Sequence, residues 1–527
     1  MKTKSIIAMS LMAALAVGCS SDDIVDDGGK NPGTAEGQAY IGVSISLPVS
    51  RPGMRGIRGT RSTNDDYNAG VANEYKVNTL TIRYLDNDGT EKKSFTYGVA
   101  DLNWEPSSAA GITTTAVLPV EKVGFSGTAY ALVEINSPFG EKGIVKNDIC
   151  EVTANNLTGE KKDDFFMTNT VWKDGHYLVP VTTSDTKDKA QSLAATHTIY
   201  VERAAAKVQL NVAEGDGWNT STYTIPAGQT NAGAAINIQN WVLDVTNKKM
   251  FPIRKFGGNN SYPVESYARL YSASNADFRT YWAEDPNYSA YENGNFNVIT
   301  EYPEKPNDLD GVEYCAENTF DVMNQCQNQT TRALIKAVYT PAGMQEGASW
   351  FTIGNSSTAL NANTLAERIK KAAGAADDAV VLIDDAFTAG QKEFNETMFT
   401  IGGETPNPVT LNKVKNALGK VTTYKNGVCY YIVRIKHFGD EICPWGPPYY
   451  DEYDEYKDGG DDMREKYLGR YGVVRNNWYK VTINSVSQPG DPTIPELTDK
   501  QDDEHNNYLQ STVKILDWAV RNQGVDL

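Results

Sequence analysis

Tyr40-Ile41-Gly42-Val43-Ser44-Ile45-Ser46-Leu47-Pro48-Val49 is the stretch on which the reading of this chain turns. Ile41, Val43, Ile45 and Leu47 fall on one parity, and Gly42, Ser44 and Ser46 on the other. A period of two predicts a half-buried β-strand, not a helix. The same alternation returns at Leu80-Ile82-Tyr84, ahead of an Asp86-Asn87-Asp88-Gly89 turn. It recurs at Val208-Leu210-Val212, Ile236-Ile238, Val428-Tyr430-Ile432 and Tyr479-Val481-Ile483. Strands with one apolar face stack in pairs, so the pattern predicts an all-β fold of β-sandwich type with few short helices. The clearest helix signal is the capping box Thr364-Leu365-Ala366-Glu367, with a stop near Gly374.

At 527 residues the chain is too long for a single core. A polar run over 182–196 precedes the strand-like Tyr200-Val201-Glu202-Arg203, which places a boundary near residue 197. The expected domains are therefore 62–196 and 197–486. Ser487-Gln488-Pro489-Gly490-Asp491-Pro492 opens a polar linker that runs through Asp502-Asp503-Glu504, so 487–527 reads as linker plus a terminal strand.

Composition excludes several functions. Lys and Arg number 49 against 67 Asp and Glu, a net charge of −18, and nucleic acid requires a basic surface. The four histidines, His176, His197, His437 and His505, lie far apart, so neither a metal site nor a cofactor is expected. There is no phosphate-binding glycine loop, no H-E-x-x-H helix and no G-x-S-x-G elbow, and an enzyme is not expected. Asp384-Asp385 are adjacent, which is no evidence of a glycosidase dyad facing a substrate. The acidic, tyrosine-rich run at 449–462 could hold Ca²⁺ or stack on a sugar, or be a solvated loop; it lacks the D-x-D-x-D-G order of an EF-hand.

The start of the chain reads as an address. Lys2 and Lys4 precede an apolar run over 6–17 that is too short to span a bilayer. It ends in Ala16-Val17-Gly18-Cys19, the small-residue pattern that a lipoprotein signal peptidase cuts. Residues 1–18 are thus expected to be a signal peptide and Cys19 the acylated (palmitate-bearing) residue, followed by an acidic tether. The remaining Cys150, Cys315, Cys326, Cys429 and Cys443 show no C-x-x-C spacing and read as small buried residues, with Cys315/Cys326 the nearest pair.

Two further features lie at the ends. A glycine- and arginine-rich stretch follows residue 49, and exposed backbone of this kind is open to a trypsin-like protease. Arg61 is the best site and Arg58 and Arg55 are alternatives, while Pro52 protects Arg51. Residues 19–61 then form a tether and propeptide strand. At the other end Val513 and Ile515 share one parity and Leu516, Trp518 and Val520 the other, which predicts a bulge at Ile515/Leu516 or two half-strands meeting there. Such a strand, following a complete domain, has no evident home in its own chain. Cleavage after Arg61 would release Ile41, Val43, Ile45 and Leu47, and the vacated groove would accept the terminal strand of another copy. A head-to-tail contact of that kind grows a filament.

At this point the chain resembles the Mfa-like fimbrillins, the shaft subunits of type V pili in the FimA/Mfa superfamily. The matching residues are the lipobox at Cys19, the strand at 40–49 with its arginine tail, and Val201-Glu202-Arg203. Further matches are Tyr430-Tyr431, Arg434-Ile435-Lys436-His437, Pro444-Trp445-Gly446, the run Gly469-Arg470-Tyr471 to Asn477-Trp478-Tyr479, and the end from Val513 to Leu527. The resemblance implies two tandem transthyretin-like β-sandwich domains, transport as an outer-membrane lipoprotein, and Arg-specific cleavage. It also implies polymerisation by donor-strand exchange into an extracellular fimbrium that supports adhesion. The partners so implied are other copies of the chain, other pilus subunits, a lipid anchor on the precursor, an Arg-specific protease and a host receptor. The alternatives are an anchor or tip subunit of the same pilus, or a surface glycan-binding lipoprotein.

Overall fold

Period-two alternation marks the principal strands of this chain. A computed structural model describes residues 39–48, 70–106, 112–140, 143–215, 217–262, 268–271, 280–289, 294–321, 324–438, 443, 468–499, 509–516 and 521–522. The fold is all-β with few short helices.

The N-terminal part contains β1 (Ser44–Pro48), β2 (Thr79–Leu85), β3 (Glu91–Gly98), β4 (Ile112–Val117), β5 (Thr128–Ile135), β6 (Met167–Asn169) and β7 (Thr198–Arg203). Their spatial order is β3-β2-β5-β6-β7-β1-β4; Trp104–Pro106 extends the sheet beyond β4 and Val179–Thr182 lies along β5, giving nine strands. Ile45, Leu80, Ile82, Val133, Ile199 and Val201 meet in one core, and Phe256, Trp282, Phe438 and Val474 join it from later in the chain. The first sheet is thus closed over by segments from the second half. The change of sheet comes at Ala204-Ala205: β7, expected beyond a boundary at 197, pairs with β1 and β6.

The C-terminal part is a sandwich built from β8 (Ala206–Val212), β9 (Ala235–Asp244), β10 (Val312–Cys315), β11 (Arg332–Thr340), β12 (Val428–Arg434), β13 (Trp478–Val486) and β14 (Leu509–Leu516). One five-stranded sheet has the order β10-β8-β13-β14 and then Arg521–Asn522. The other runs Trp218–Asn219, Thr222–Thr224, β9, β11, β12. Val208, Leu210 and Val481 from the first sheet pack on Ile236, Trp241 and Ile335 from the second. A register shift against β11 between Ile238 and Asn240 moves the core positions of β9 from Ile236 and Ile238 to Trp241 and Leu243.

Three helices matter to the argument. The polar run at 182–196 holds α1 (Lys187–Leu193), capped by the Thr186 side chain, which accepts from the Lys189 amide. A third lobe, which alternation did not predict, fills the gap between β11 and β12. There Trp350–Ile353 and Gly390–Glu393 pair with either side of Lys420–Tyr424. Helices α2 (Ala362–Ala373) and α3 (Pro408–Leu418) supply Leu365, Ile369 and Val414 to a small core with Phe387, Phe394 and Phe399. The start of α2 differs from the Thr364 capping box. Asn361 is the cap, its side chain accepting from the Thr364 amide, and the helix stops at left-handed Gly374.

Candidate assembly site at the terminal strands

β1 sits inside its sheet. It runs parallel to β7, with Ser44 opposite Thr198 and Ile45 opposite Ile199, and antiparallel to β4, with Ile45 opposite Ala116. Ile41, Val43, Ile45 and Leu47 are each no more than 2% exposed, but so are Ser44 and Ser46. The half-buried expectation is corrected here: both faces are covered. The polar face is covered because its residues are small. A β-carbon on Gly42 would strike the carbonyl of Ala190 in α1. The Ser44 and Thr198 hydroxyls are 3.0 Å apart. His197 donates from Nδ1 to the Gly42 carbonyl at 3.0 Å, while its Nε2 accepts from the Thr182 amide. Upstream, Tyr40 exchanges two backbone bonds of 2.8 Å with Ser184.

The terminal strand does have a home in its own chain, contrary to expectation. β14 pairs antiparallel with β13, placing Val513 opposite Val481, Ile515 opposite Tyr479 and Leu516 opposite Trp478. The ladder is regular through Ile515 and Leu516. The irregularity lies instead between Ile483 and Ser485 of β13. The chain then turns back, since Lys514 pairs with Asn522 and Ile515 with Arg521, so the segment is a hairpin and not one long strand. The parity change read from the sequence marks where β14 ends. Trp518 and Val520 lie outside the described residues, as do Cys19, Arg55, Arg58, Arg61 and the run at 449–462.

The polar linker is also no simple leash over its first half. Tyr430 on the edge of β12 exchanges backbone bonds of 2.8 and 2.9 Å with Asp491. The Tyr431 hydroxyl donates to the Gln488 carbonyl and Arg332 Nη2 to the Pro495 carbonyl, both at 2.9 Å. The Asn328 amide donates to the Thr498 carbonyl at 3.1 Å. The linker thus crosses from one sheet of the sandwich to the edge of the other.

Alternation could not reveal the buried polar contacts that join the two parts. Glu74 Oε1 is 2.5 Å from both Lys207 Nζ and the Tyr314 hydroxyl, and Arg203 donates to the Glu74 carbonyl and the Asn476 side chain. Burial works against the Glu74 carboxylate, but Lys207, Tyr314 and Arg203 outweigh it and hold its pKa below the ordinary value. Lys207 is shifted down, because burial and two neighbouring cations exceed what one acid returns. A second group links Arg254 to Glu202 at 2.7 Å and Arg475 to Glu317 at 2.6 Å. The one signal was charged residues inside apolar runs, Glu202-Arg203 after Val201 and Arg475 after Val473-Val474. His437 is a bonded core residue: Nε2 donates to the Tyr281 carbonyl and Nδ1 accepts from the Tyr479 hydroxyl. Cys315 and Cys326 are both free thiols, and so are the other three described cysteines.

Residues 422–524, which hold β12, β13 and β14, match the family model described as major fimbrial subunit protein type IV, fimbrillin, C-terminal. The fimbrillin resemblance stands. Among solved structures, the chain is similar to a fimbrillin from Porphyromonas gingivalis W83 at 15% identity and TM-score 0.35, covering 92% of this chain and 99% of that one. A candidate cell adhesion protein from Parabacteroides distasonis gives 11% identity and TM-score 0.41, covering 94% and 100%. The tip fimbrial protein Mfa3 from Porphyromonas gingivalis gives 13% identity and TM-score 0.32, covering 91% and 99%. No curated protein matches the chain. Within the fimbrillin match, β13 and β14 are the elements that the terminal-strand site uses.

Proposed function

We propose that this chain is a structural subunit of a surface pilus, in the shaft position, and that it polymerises by donor-strand exchange in the extracellular space. The fimbrillin match supports a pilus subunit. The observation that carries the finer reading is the placement of β1: an interior strand, joined to the rest of its sheet by the arginine-bearing stretch 49–69. Removing residues 40–48, which include β1, would re-expose Ile41, Val43, Ile45 and Leu47, at about 1.5–3 kcal/mol each, roughly 6–12 kcal/mol in all. It would also leave β7 and β4 with unpaired edges, which an incoming strand would satisfy.

In this reading Cys19 carries the lipid that delivers the precursor to the outer membrane, and an Arg-specific protease cuts after Arg61, Arg58 or Arg55. Release of the segment ending at that cut removes lipid and β1 together. β14 then leaves β13 and enters the groove of the next copy. Other pilus subunits, and a host receptor for the finished fibre, complete the set of partners. An anchor subunit would keep its lipid, and the arginine row argues against that role.

N-terminal sequencing of the surface protein tests the scheme. A start after Arg61, Arg58 or Arg55, with ladders on unboiled gels that vanish when residues 507–527 are deleted, is the expected result. A lipid-bearing chain starting at Cys19 would favour the anchor role. Monomers that persist after complete cleavage with an intact tail would refute strand exchange.

A further inference from the structure

A half-open cavity of about 610 Å³ lies where the third lobe meets the C-terminal sandwich. Met344 and the rim of Tyr424 give it an apolar side, behind which Tyr339 and Trp350 are buried. Trp350 and Tyr424 are stacked, with centroids 3.8 Å apart and planes 4° apart, and Trp350 donates its indole N–H to the Tyr339 carbonyl. The polar side is built differently. Thr352, Asn355, Ser357, Thr358 and Gln488 line it, and none of these five side chains makes a hydrogen bond to any described residue. Loop 354–358 is nevertheless held in shape, by left-handed Gly354 and by the Thr358 amide donating to Ser356 Oγ at 3.1 Å.

Charge selects the ligand class. Among the described residues that line the cavity, Asp491 is the one acidic side chain and none is Lys, Arg or His. A phosphate, sulfate or carboxylate would find no counter-charge, and a hard cation would find a single carboxylate where it needs several oxygens. A neutral polyol matches both sides: its hydroxyls meet unspent amide and hydroxyl groups, and its C–H face meets aromatic and thioether carbon. The volume lies within the range of small-ligand sites, about 300–1,000 Å³. We infer that this cavity is a binding site for a short neutral saccharide. The linker segment Gln488-Pro489-Gly490-Asp491 forms one wall, so the site is complete only while Asp491 is paired to Tyr430. The inference does not depend on polymerisation.

The test uses the full chain and saturation-transfer NMR with galactose, N-acetylglucosamine, lactose and N-acetyllactosamine at millimolar concentration, and sialyllactose as the charged comparator. Ser357→Trp fills the cavity and Asn355→Ala removes one amide; both positions are exposed, and an unchanged thermal midpoint confirms the fold. At least one neutral sugar is expected to bind, S357W to abolish binding, and N355A to weaken it by about tenfold. Absence of binding by every neutral sugar, binding retained in S357W, or tighter binding of sialyllactose would each overturn the assignment.

Discussion

A β-carbon on Gly42 would run into the carbonyl oxygen of Ala190, so α1 rests directly on the backbone that leads into β1. Gly42→Ala must push helix and strand apart. It is expected to lower stability by about 1–3 kcal/mol and to speed amide exchange at Ile45, measured by chemical denaturation and hydrogen exchange. An unchanged midpoint would mean that α1 is not seated there.

Gly490 bears the same relation to β12, where a β-carbon would meet the Tyr430 carbonyl. Gly490→Ala should release the linker from that edge and leave both cores intact. The amides of Tyr430 and Asp491 should exchange at least about tenfold faster, since only a local opening is involved, while the thermal midpoint stays near that of the parent.

Arg475 is fully buried. It donates to the carbonyls of Phe251 and Pro252 as well as to Glu317. Arg475→Ala leaves the buried Glu317 carboxylate with the more distant Arg254, 4.0 Å away, and should cost about 3–5 kcal/mol in denaturant unfolding. The double replacement Glu317→Gln with Arg475→Met should cost less than R475A alone, because the uncompensated charge is gone.

Glu74 gives a pH dependence with a definite sign. Its folded pKa lies below the ordinary 4.5. The stability it contributes is therefore complete above that ordinary value and is lost as pH falls through the folded one. The gap in thermal midpoint between the parent and Glu74→Gln should be constant from pH 6 to 8 and should close progressively below about pH 4.5.

What could be read from the residues was the side-chain period. It located β1, β2, β8, β9, β12 and β13, because an alternating apolar face is a local property. It misjudged Ser44 and Ser46, because a small polar residue under a helix looks the same in sequence as one in water. It passed over α1, whose one fully buried residue is Ala190. The linker's attachment to β12 and the pairing of β14 with β13 rest largely on main-chain hydrogen bonds, which every residue but proline can make and no side-chain pattern records. The third lobe was missed because its strands are four residues long or close to it, too short for a period to register. The family motifs at Val201-Glu202-Arg203 and Arg470 to Asn477 were noticed as resemblance. Their physical content, a charged seam between the two parts, needed coordinates.

The attachment of 487–499 along β12 sets a yardstick. Ten peptide steps separate Asp499 from Leu509, and a fully extended chain covers roughly 35 Å in that distance. In any fibre where a neighbour takes up β14, successive bodies can stand no further apart than this short tie allows. The tie therefore puts a ceiling on the repeat of such a fibre.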